Sequence, residues 1–198
     1  MLVETYLLLI TSLGNAVVVG ALVITACVYL VVAGSRRPAL ALACAFGLAA
    51  LGVCVAKLLC MGCHSNPLDP ALRSPSGHVA ISTAVYGMLT AIITARMNRW
   101  QSVLAWIGAI SLILLIAASR VLLGFHTFDE VIVGFVIGGT SYALARRFAL
   151  RKETIKFNGL ALAATAAVVI VIFHGVQFPF EQAIQWLALY IRHNATVC

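Results

Sequence analysis

The tetrapeptide Pro75-Ser76-Gly77-His78 has the residue types of an anion-binding site at the start of a helix. Backbone N–H groups in the first turn of a helix are unpaired and electropositive, Gly77 permits close approach to the backbone, and Ser76 adds a hydroxyl donor. His78 would stand beside the bound anion. The same residues also form an ordinary turn and helix N-cap, which is the simpler interpretation of this segment alone.

A second polar cluster runs from Ser119-Arg120 to His126 and two carboxylates. Asp129 and Glu130 follow His126 by three and four residues, so either can share its helical face. A carboxylate that holds one imidazole N–H fixes the tautomer and leaves the other nitrogen as nucleophile or base. Arg120 offers a permanent charge and a fork of donors suited to a phosphate. The alternative is an interfacial arginine and a histidine with a local hydrogen bond.

The elements that position these side chains are predicted to be membrane spans. Of the 198 residues, 63% are hydrophobic and only 10% are charged, too few to cover a soluble globule without large exposed apolar patches. The net charge of +7 is better explained by membrane topology than by a nucleic-acid partner. We therefore expect an all-α, polytopic membrane protein whose residues 1–198 form a single domain.

Apolar runs of about 20 residues, the length that crosses the hydrocarbon core as a helix, predict six transmembrane helices. The predicted spans are Tyr6–Ala33, Ala39–Cys60, His78–Ala95, Ser102–Ala118, Phe128–Phe148 and Gly159–His174. A final amphipathic segment, Phe180–Arg192, is expected to form a short helix along the membrane interface. The first run is too long for a cleaved signal peptide and lacks a basic start, so we expect it to remain.

The distribution of basic residues predicts the orientation of the chain. Six spans place both termini on one side, and nine of the 13 Lys and Arg residues fall in loops on the other: Arg36, Arg37, Arg96, Arg99, Arg146, Arg147, Arg151, Lys152 and Lys156. The positive-inside rule then puts the termini outside. The loops Lys57–Gly77 and Ser119–Asp129 are therefore expected to face the periplasmic side of a bacterial inner membrane.

Together, Lys57, Pro75-Ser76-Gly77-His78 and Ser119-Arg120 with His126 and Glu130 at their spacings resemble a known three-part signature. It is that of the type 2 phosphatidic acid phosphatase superfamily, integral-membrane relatives of the vanadium haloperoxidases. The resemblance covers Lys57 to about Gly138. It implies six spans, with the site in the two outer loops, and a lipid phosphate as substrate.

The resemblance also implies a role for each matching residue. His126 would attack phosphorus in line to give a phosphohistidine, and the carboxylate at position 130 would orient His126. His78 would protonate the leaving oxygen and then activate water. Four residues would hold the phosphoryl group: Lys57, Ser76, Gly77 and Arg120. Two histidines of opposite duty and fixed cationic donors make a coherent mechanism that needs no metal and no cofactor.

The chain departs from the family pattern in its first and third parts. The family's first part has Arg-Pro where this chain has His64 and Ser65. We expect Arg73 to replace the missing arginine because it carries a permanent charge, with a protonated His64 as the alternative. Glu130 stands where Asp is usual, and Asp129 beside it leaves the partner of His126 open. The loop from Met61 to Ser74 is too short for a soluble cap.

The six cysteines do not suggest a disulfide scaffold, because three of them fall inside spans: Cys27, Cys44 and Cys54. The segment Cys60-Met61-Gly62-Cys63-His64 matches the spacing of c-type haem attachment, which raises a competing hypothesis of an electron carrier. The short loop, however, offers no domain to enclose a macrocycle. A disulfide between Cys60 and Cys63, or from either to Cys198, is compatible with an oxidising compartment.

The sequence therefore predicts a membrane phosphatase that hydrolyses a phosphate monoester or pyrophosphate of a lipid at the outer face. An isoprenoid pyrophosphate is the first expected substrate, and a phosphatidate-type lipid is the second. A lipid phosphotransferase would use the same residues with another acceptor in place of water. The alternative from another class is a non-catalytic lipid-phosphate binder or transporter, in which the missing arginine marks lost chemistry.

Overall fold

The computed structural model describes residues 2–62, 74–149 and 158–173, with positions 175, 176, 182–184, 186, 187 and 190. Its helices are α1 (Leu2–Ser12), α2 (Ala16–Val32), α3 (Arg36–Gly62), α4 (Gly77–Thr94), α5 (Arg99–Leu122), α6 (Phe128–Ala149) and α7 (Gly159–Phe173). The described part of the chain contains no β-strand. The predicted all-α class is confirmed.

Five helical segments are long and apolar enough to cross a membrane. They are Val3–Val32, Arg36–Met61, Gly77–Thr94, Arg99–Leu122 and Phe128–Arg147. The sixth predicted span is also helical, but α7 has 15 residues, which at ~1.5 Å per residue is shorter than a hydrocarbon core of about 30 Å. These lengths and compositions are compatible with a multi-pass membrane protein.

The first predicted span, Tyr6–Ala33, is not one continuous helix. It is interrupted at Leu13–Asn15, which we call the α1–α2 break. The N–H groups of Leu13, Gly14 and Asn15 bond to carbonyls three residues earlier, which tightens the end of α1. Asn15 is extended, and its side chain accepts the N–H of Val17 at 2.9 Å, so a new helix begins there. Hydropathy alone does not reveal such a break.

The fourth predicted span, Ser102–Ala118, extends at both ends. Asn98 and Gln101 form a reciprocal capping box that starts α5 at Arg99. The helix continues to Leu122. Ser119 and Arg120, which the sequence analysis assigns to a loop, therefore lie in the last turn of α5.

Several predictions fall wholly or partly outside the described residues. Six positions in the predicted interfacial helix Phe180–Arg192 are described, and they are helical: 182–184, 186, 187 and 190. Cys63, His64, Arg73 and Cys198 lie outside the described residues. The haem motif, the disulfide and the replacement of the missing arginine therefore stay predictions.

Helix α4 is the centre of the bundle. Of its candidate span 67% is buried, whereas the other four spans are 33% buried or less. It packs against α3, α5 and α6, and its residues contribute much of the main hydrophobic core, including Ala84, Val85 and Met88. Whatever lies at the N-terminus of α4 is therefore held by helices on several sides.

Two glycines let α6 run in close contact alongside α4. A Cβ added to Gly134 would lie 2.8 Å from the carbonyl oxygen of Ser76, and one added to Gly138 would overlap the carbonyl oxygen of Ala80. Their spacing of four residues puts both on one face of α6, the pattern that brings helix backbones together in membranes. We call this contact the glycine seam. It fixes the start of α6 against the start of α4.

The glycine seam predicts a contrast between two adjacent substitutions. Gly138→Ala should destabilise the fold by about 1–3 kcal/mol, because its methyl group meets backbone on α4. Gly139→Ala should be neutral or stabilising by up to about 1 kcal/mol, since nothing lies within 4 Å of its Cβ. Thermal unfolding of both variants in detergent measures the difference. Equal midpoints would contradict the seam.

Candidate active site

The two predicted clusters meet where α3 and α5 end and α4 and α6 begin. The backbone N–H of Ser76 donates to the carbonyl of Glu130 at 3.0 Å, and the N–H of Ser74 donates to Glu130 Oε1 at 2.8 Å. Residues more than 50 positions apart are thereby joined by two hydrogen bonds. The loop before α4 and the first turn of α6 form one unit.

Glu130, not Asp129, is the partner of His126. Glu130 Oε2 lies 2.8 Å from His126 Nδ1, and the Glu130 side chain is buried, whereas Asp129 is exposed. The same oxygen accepts the N–H of Thr127 at 3.2 Å, and the Thr127 hydroxyl accepts the N–H of Glu130 at 3.4 Å. This reciprocal pair is a capping box. The spacing Thr-x-x-Glu was a sequence signal that could have decided between the two carboxylates.

The Glu130 contact determines which nitrogen of His126 can react. A carboxylate at Nδ1 favours the tautomer with its proton on that atom, which leaves the Nε2 lone pair for attack or proton abstraction. Burial lowers the pKa of the His126 imidazole below its ordinary value. The Glu130 hydrogen bond opposes this shift, while the charges of Arg120 and Lys57 add to it. The neutral, nucleophilic form is therefore favoured.

A tight turn sets the spacing between Arg120 and His126. Gly124 adopts φ +70° after the last turn of α5, a conformation that glycine tolerates best. The N–H of Gly124 bonds to the Val121 carbonyl, and that of Phe125 bonds to the Arg120 carbonyl at 3.0 Å, which is the Schellman pattern. The N–H of His126 also donates to the Arg120 carbonyl, at 3.2 Å. This turn accounts for the five residues between Arg120 and His126.

The Arg120 side chain is held from two directions. Its guanidinium carbon lies 4.4 Å from the centre of the Phe125 ring, and its Nη1 donates to Thr11 Oγ1 at 3.3 Å. Sequence reasoning missed Thr11, because it lies 109 residues from Arg120 and no local pattern marks it. The arginine therefore has a defined orientation.

His78 joins this group from α4. Arg120, His126 and Lys57 are all close enough to act electrostatically on its imidazole. Lys57 is 2% exposed on α3, and one turn before it Val53 packs 3.4 Å from where a Cβ on Gly77 would stand. His78, His126, Arg120 and Lys57 thus converge at the start of α4.

The Ser76 hydroxyl is a hydrogen-bond donor at the N-terminus of α4. It is the N-cap residue of α4, yet its side chain does not cap the helix. Its buried hydroxyl has no hydrogen-bond partner among the described residues, and neither has that of Ser74. Buried hydroxyls usually find partners, so an anion at the first turn of α4 would complete these donors. Ser119 differs, since its buried hydroxyl donates to the Ile116 carbonyl at 2.7 Å.

Most of the predicted site residues are therefore close neighbours. The residues brought together are Lys57, Ser76, Gly77, His78, Arg120, His126 and Glu130. Ser119 is bonded to its own helix, and Asp129 is exposed. His64 and Arg73 lie outside the described residues.

Comparison with known proteins finds similarity in the segment that carries most of the motif residues. Residues 59–154 match the model of the PAP2 superfamily, which confirms the resemblance seen in the motifs. An uncharacterized 22.5 kDa protein in the cps region of Klebsiella pneumoniae is 30% identical over 99 residues, 50% of this chain. The match spans about half the length of that relative, 47%. No solved structure gives a significant match.

The environment of His126 predicts its titration. Its midpoint should lie below about 6.5, the ordinary histidine value, because burial and two nearby cations disfavour the protonated ring. Glu130→Gln should lower the midpoint further, since it removes the group that favours protonation. NMR titration of labelled histidine, assigned with His126→Asn, measures both. A midpoint above 6.5 in the wild type would contradict this account.

Proposed function

We propose that the protein is a membrane lipid phosphatase, because residues 59–154 match the model of the PAP2 superfamily and their motifs resemble those of its phosphatases. The observation that carries the proposal is the His126 Nδ1–Glu130 Oε2 contact of 2.8 Å beside Arg120 and Lys57. An oriented nucleophile next to fixed positive charge is the arrangement that phosphoryl transfer requires.

The proposed first step is attack by His126 Nε2 on phosphorus. A P–N bond forms as the P–O bond to the leaving group breaks, and His78 gives a proton to the departing oxygen. Water deprotonated by His78 then attacks the phosphohistidine and releases inorganic phosphate. Glu130 keeps His126 in the reactive tautomer and stabilises the positive charge that the ring acquires.

We assign phosphate binding to the hydrogen-bond donors around His126 and His78. Arg120 and Lys57 would neutralise the charge on the phosphoryl oxygens, which develops in a site of low dielectric. The Ser76 hydroxyl and the backbone N–H groups at Gly77 would donate hydrogen bonds to the same oxygens. All the groups used are side chains and backbone of this chain, and we propose catalysis without a metal or cofactor.

An apolar groove beside the site supports a lipid substrate. It has a volume of about 450 Å³ and lies between α5 and α6, lined by Leu114, Ala117, Ala118, Val121, Leu122, Phe128, Val131 and Phe135. Phe128 and Val131 flank the turn that carries Glu130, so a hydrocarbon chain in the groove would leave its phosphate near His126. We propose an isoprenoid pyrophosphate first and a phosphatidate-type lipid second.

The charge distribution supports an outward-facing site. Arg36, Arg96, Arg99, Arg146 and Arg147 lie at or beside the helix ends opposite the site. On the positive-inside rule this distribution supports our proposal that the site faces the periplasmic side of a bacterial inner membrane, with both termini outside.

Activity on lipid phosphates is the direct test of the proposed function. Purified protein should release phosphate from isoprenoid pyrophosphate or phosphatidate, and EDTA should not reduce the rate. Glu130→Gln should lower kcat by about 10²–10⁴-fold, the range for orienting and acid–base groups. Asp129→Asn is the matched control and should keep wild-type kcat, because Asp129 is exposed.

Four results would contradict parts of this proposal. Unchanged turnover in His126→Ala would rule out the phosphohistidine, and complete loss of turnover in EDTA would rule out metal-free catalysis. Accumulation of a phosphorylated acceptor instead of inorganic phosphate would identify a phosphotransferase. Lipid phosphate binding with no turnover would identify a binder.

A substitution that fills the groove tests whether the substrate is a lipid or a soluble phosphate ester. Ala118→Phe should lower kcat/KM for a long-chain lipid phosphate by about tenfold or more, since each displaced methylene group costs about 0.8 kcal/mol. Turnover of a short soluble phosphate ester should not change. Leu115→Phe is the control, because Leu115 is exposed on the same helix outside the groove. Equal effects on both substrates would argue against the groove as a chain site.

A further inference from the structure

The α1–α2 break lies against the candidate site, although it falls outside the segment matched to the PAP2 superfamily. A Cβ added to Gly14 would stand 2.8 Å from Ile116 Cγ2, 3.0 Å from Ser82 Oγ and 3.4 Å from His78 Cβ. The backbone of the break therefore packs directly on α4 and α5 beside His78. A Cβ at position 14 would require the Ile116 side chain to shift.

Hydrogen bonds hold the break in place. The Val17 N–H, which would pair with the Leu13 carbonyl in a continuous helix, instead donates to the Asn15 side chain. The Leu13 carbonyl accepts the buried Tyr86 hydroxyl at 2.7 Å. His78 and Tyr86 are eight residues apart and share one face of α4. The same face of α4 therefore carries the site histidine and anchors the break.

Thr11 stands just before the break, and its hydroxyl reaches Arg120. The residue is 7% exposed, and its Oγ1 accepts from Arg120 Nη1 at 3.3 Å. The Phe125 ring lies 4.4 Å from the guanidinium carbon, and the Thr11 hydroxyl accepts from one guanidinium nitrogen, so both contacts restrain the side chain. An arginine side chain otherwise has several rotatable bonds, and a fixed donor stabilises a transition state better than a mobile one.

We propose that Thr11 is a positioning residue, which orients the Arg120 guanidinium toward the phosphoryl group. This inference rests on the proposed function, since it assigns Arg120 to a phosphoryl group. It extends the functional unit to the N-terminal helix, where the sequence shows no motif. Thr11 acts through Arg120 and does not touch the substrate.

The kinetic test is Thr11→Val, which keeps the shape of the side chain and removes the hydroxyl. It should lower kcat roughly tenfold and change KM little, because a hydrogen bond to a charged group that acts in the transition state is lost. Thr11→Ser should restore most of the rate. Ser12→Ala is the matched control and should keep wild-type kcat, since the exposed Ser12 hydroxyl donates to the Leu9 carbonyl of its own helix.

A binding test decides the inference independently of turnover. Orthovanadate imitates the phosphoryl transition state, so Thr11→Val should weaken its Kd by roughly tenfold while Ser12→Ala and Thr11→Ser do not. Vanadate bound by a wild type that hydrolyses no substrate would refute the proposed phosphatase and leave the positioning role measurable. The inference is overturned if the wild type binds no vanadate, or if Thr11→Val matches the wild type in kcat and Kd. It is also overturned if Ser12→Ala loses as much as Thr11→Val.

Discussion

The candidate site depends on one buried carboxylate. Glu130 accepts from Ser74 and Thr127 through its side chain, contacts His126 Nδ1, and accepts Ser76 through its backbone carbonyl. A carboxylate in an apolar bundle is tolerated only when such donors satisfy it. The same set of bonds caps α6, closes the loop before α4 and orients the histidine. The fold and the proposed chemistry would therefore depend on the same group.

Around Glu130, contacts between main-chain atoms hold the site residues in position. The glycine seam brings the parallel helices α4 and α6 so close that Ser76 and Glu130 meet through main-chain atoms. The Schellman turn after α5 keeps the backbones of Arg120 and His126 in direct contact. Groups fixed by main-chain bonds lose little entropy when a ligand arrives, which favours preorganised charge stabilisation.

The sequence predicted the helices well because membrane spans depend on length and hydrophobicity, both of which are local properties. It also predicted the grouping of Lys57, Ser76, His78, Arg120 and His126, since consecutive spans return the chain to the same face. It left Asp129 and Glu130 open because both lie within one helical turn of His126, and the capping box of Thr127 and Glu130 sets the register of α6 that separates them.

What the sequence could not predict arises from packing between distant segments. The α1–α2 break interrupts an apolar run without changing its average hydropathy. The Thr11–Arg120 hydrogen bond joins residues 109 positions apart, and no periodic pattern in the sequence predicts a contact at that separation.

The hairpin formed by α5, its turn and α6 has a consequence for the order of assembly. Arg120, Phe125, His126 and Glu130 contact one another within eleven consecutive residues. Local contacts form faster than distant ones because little chain must be closed into a loop. We expect half of the site to exist as soon as this hairpin inserts into the bilayer, while α4 and the N-terminal helix complete it by docking. His126 would then be in place before His78.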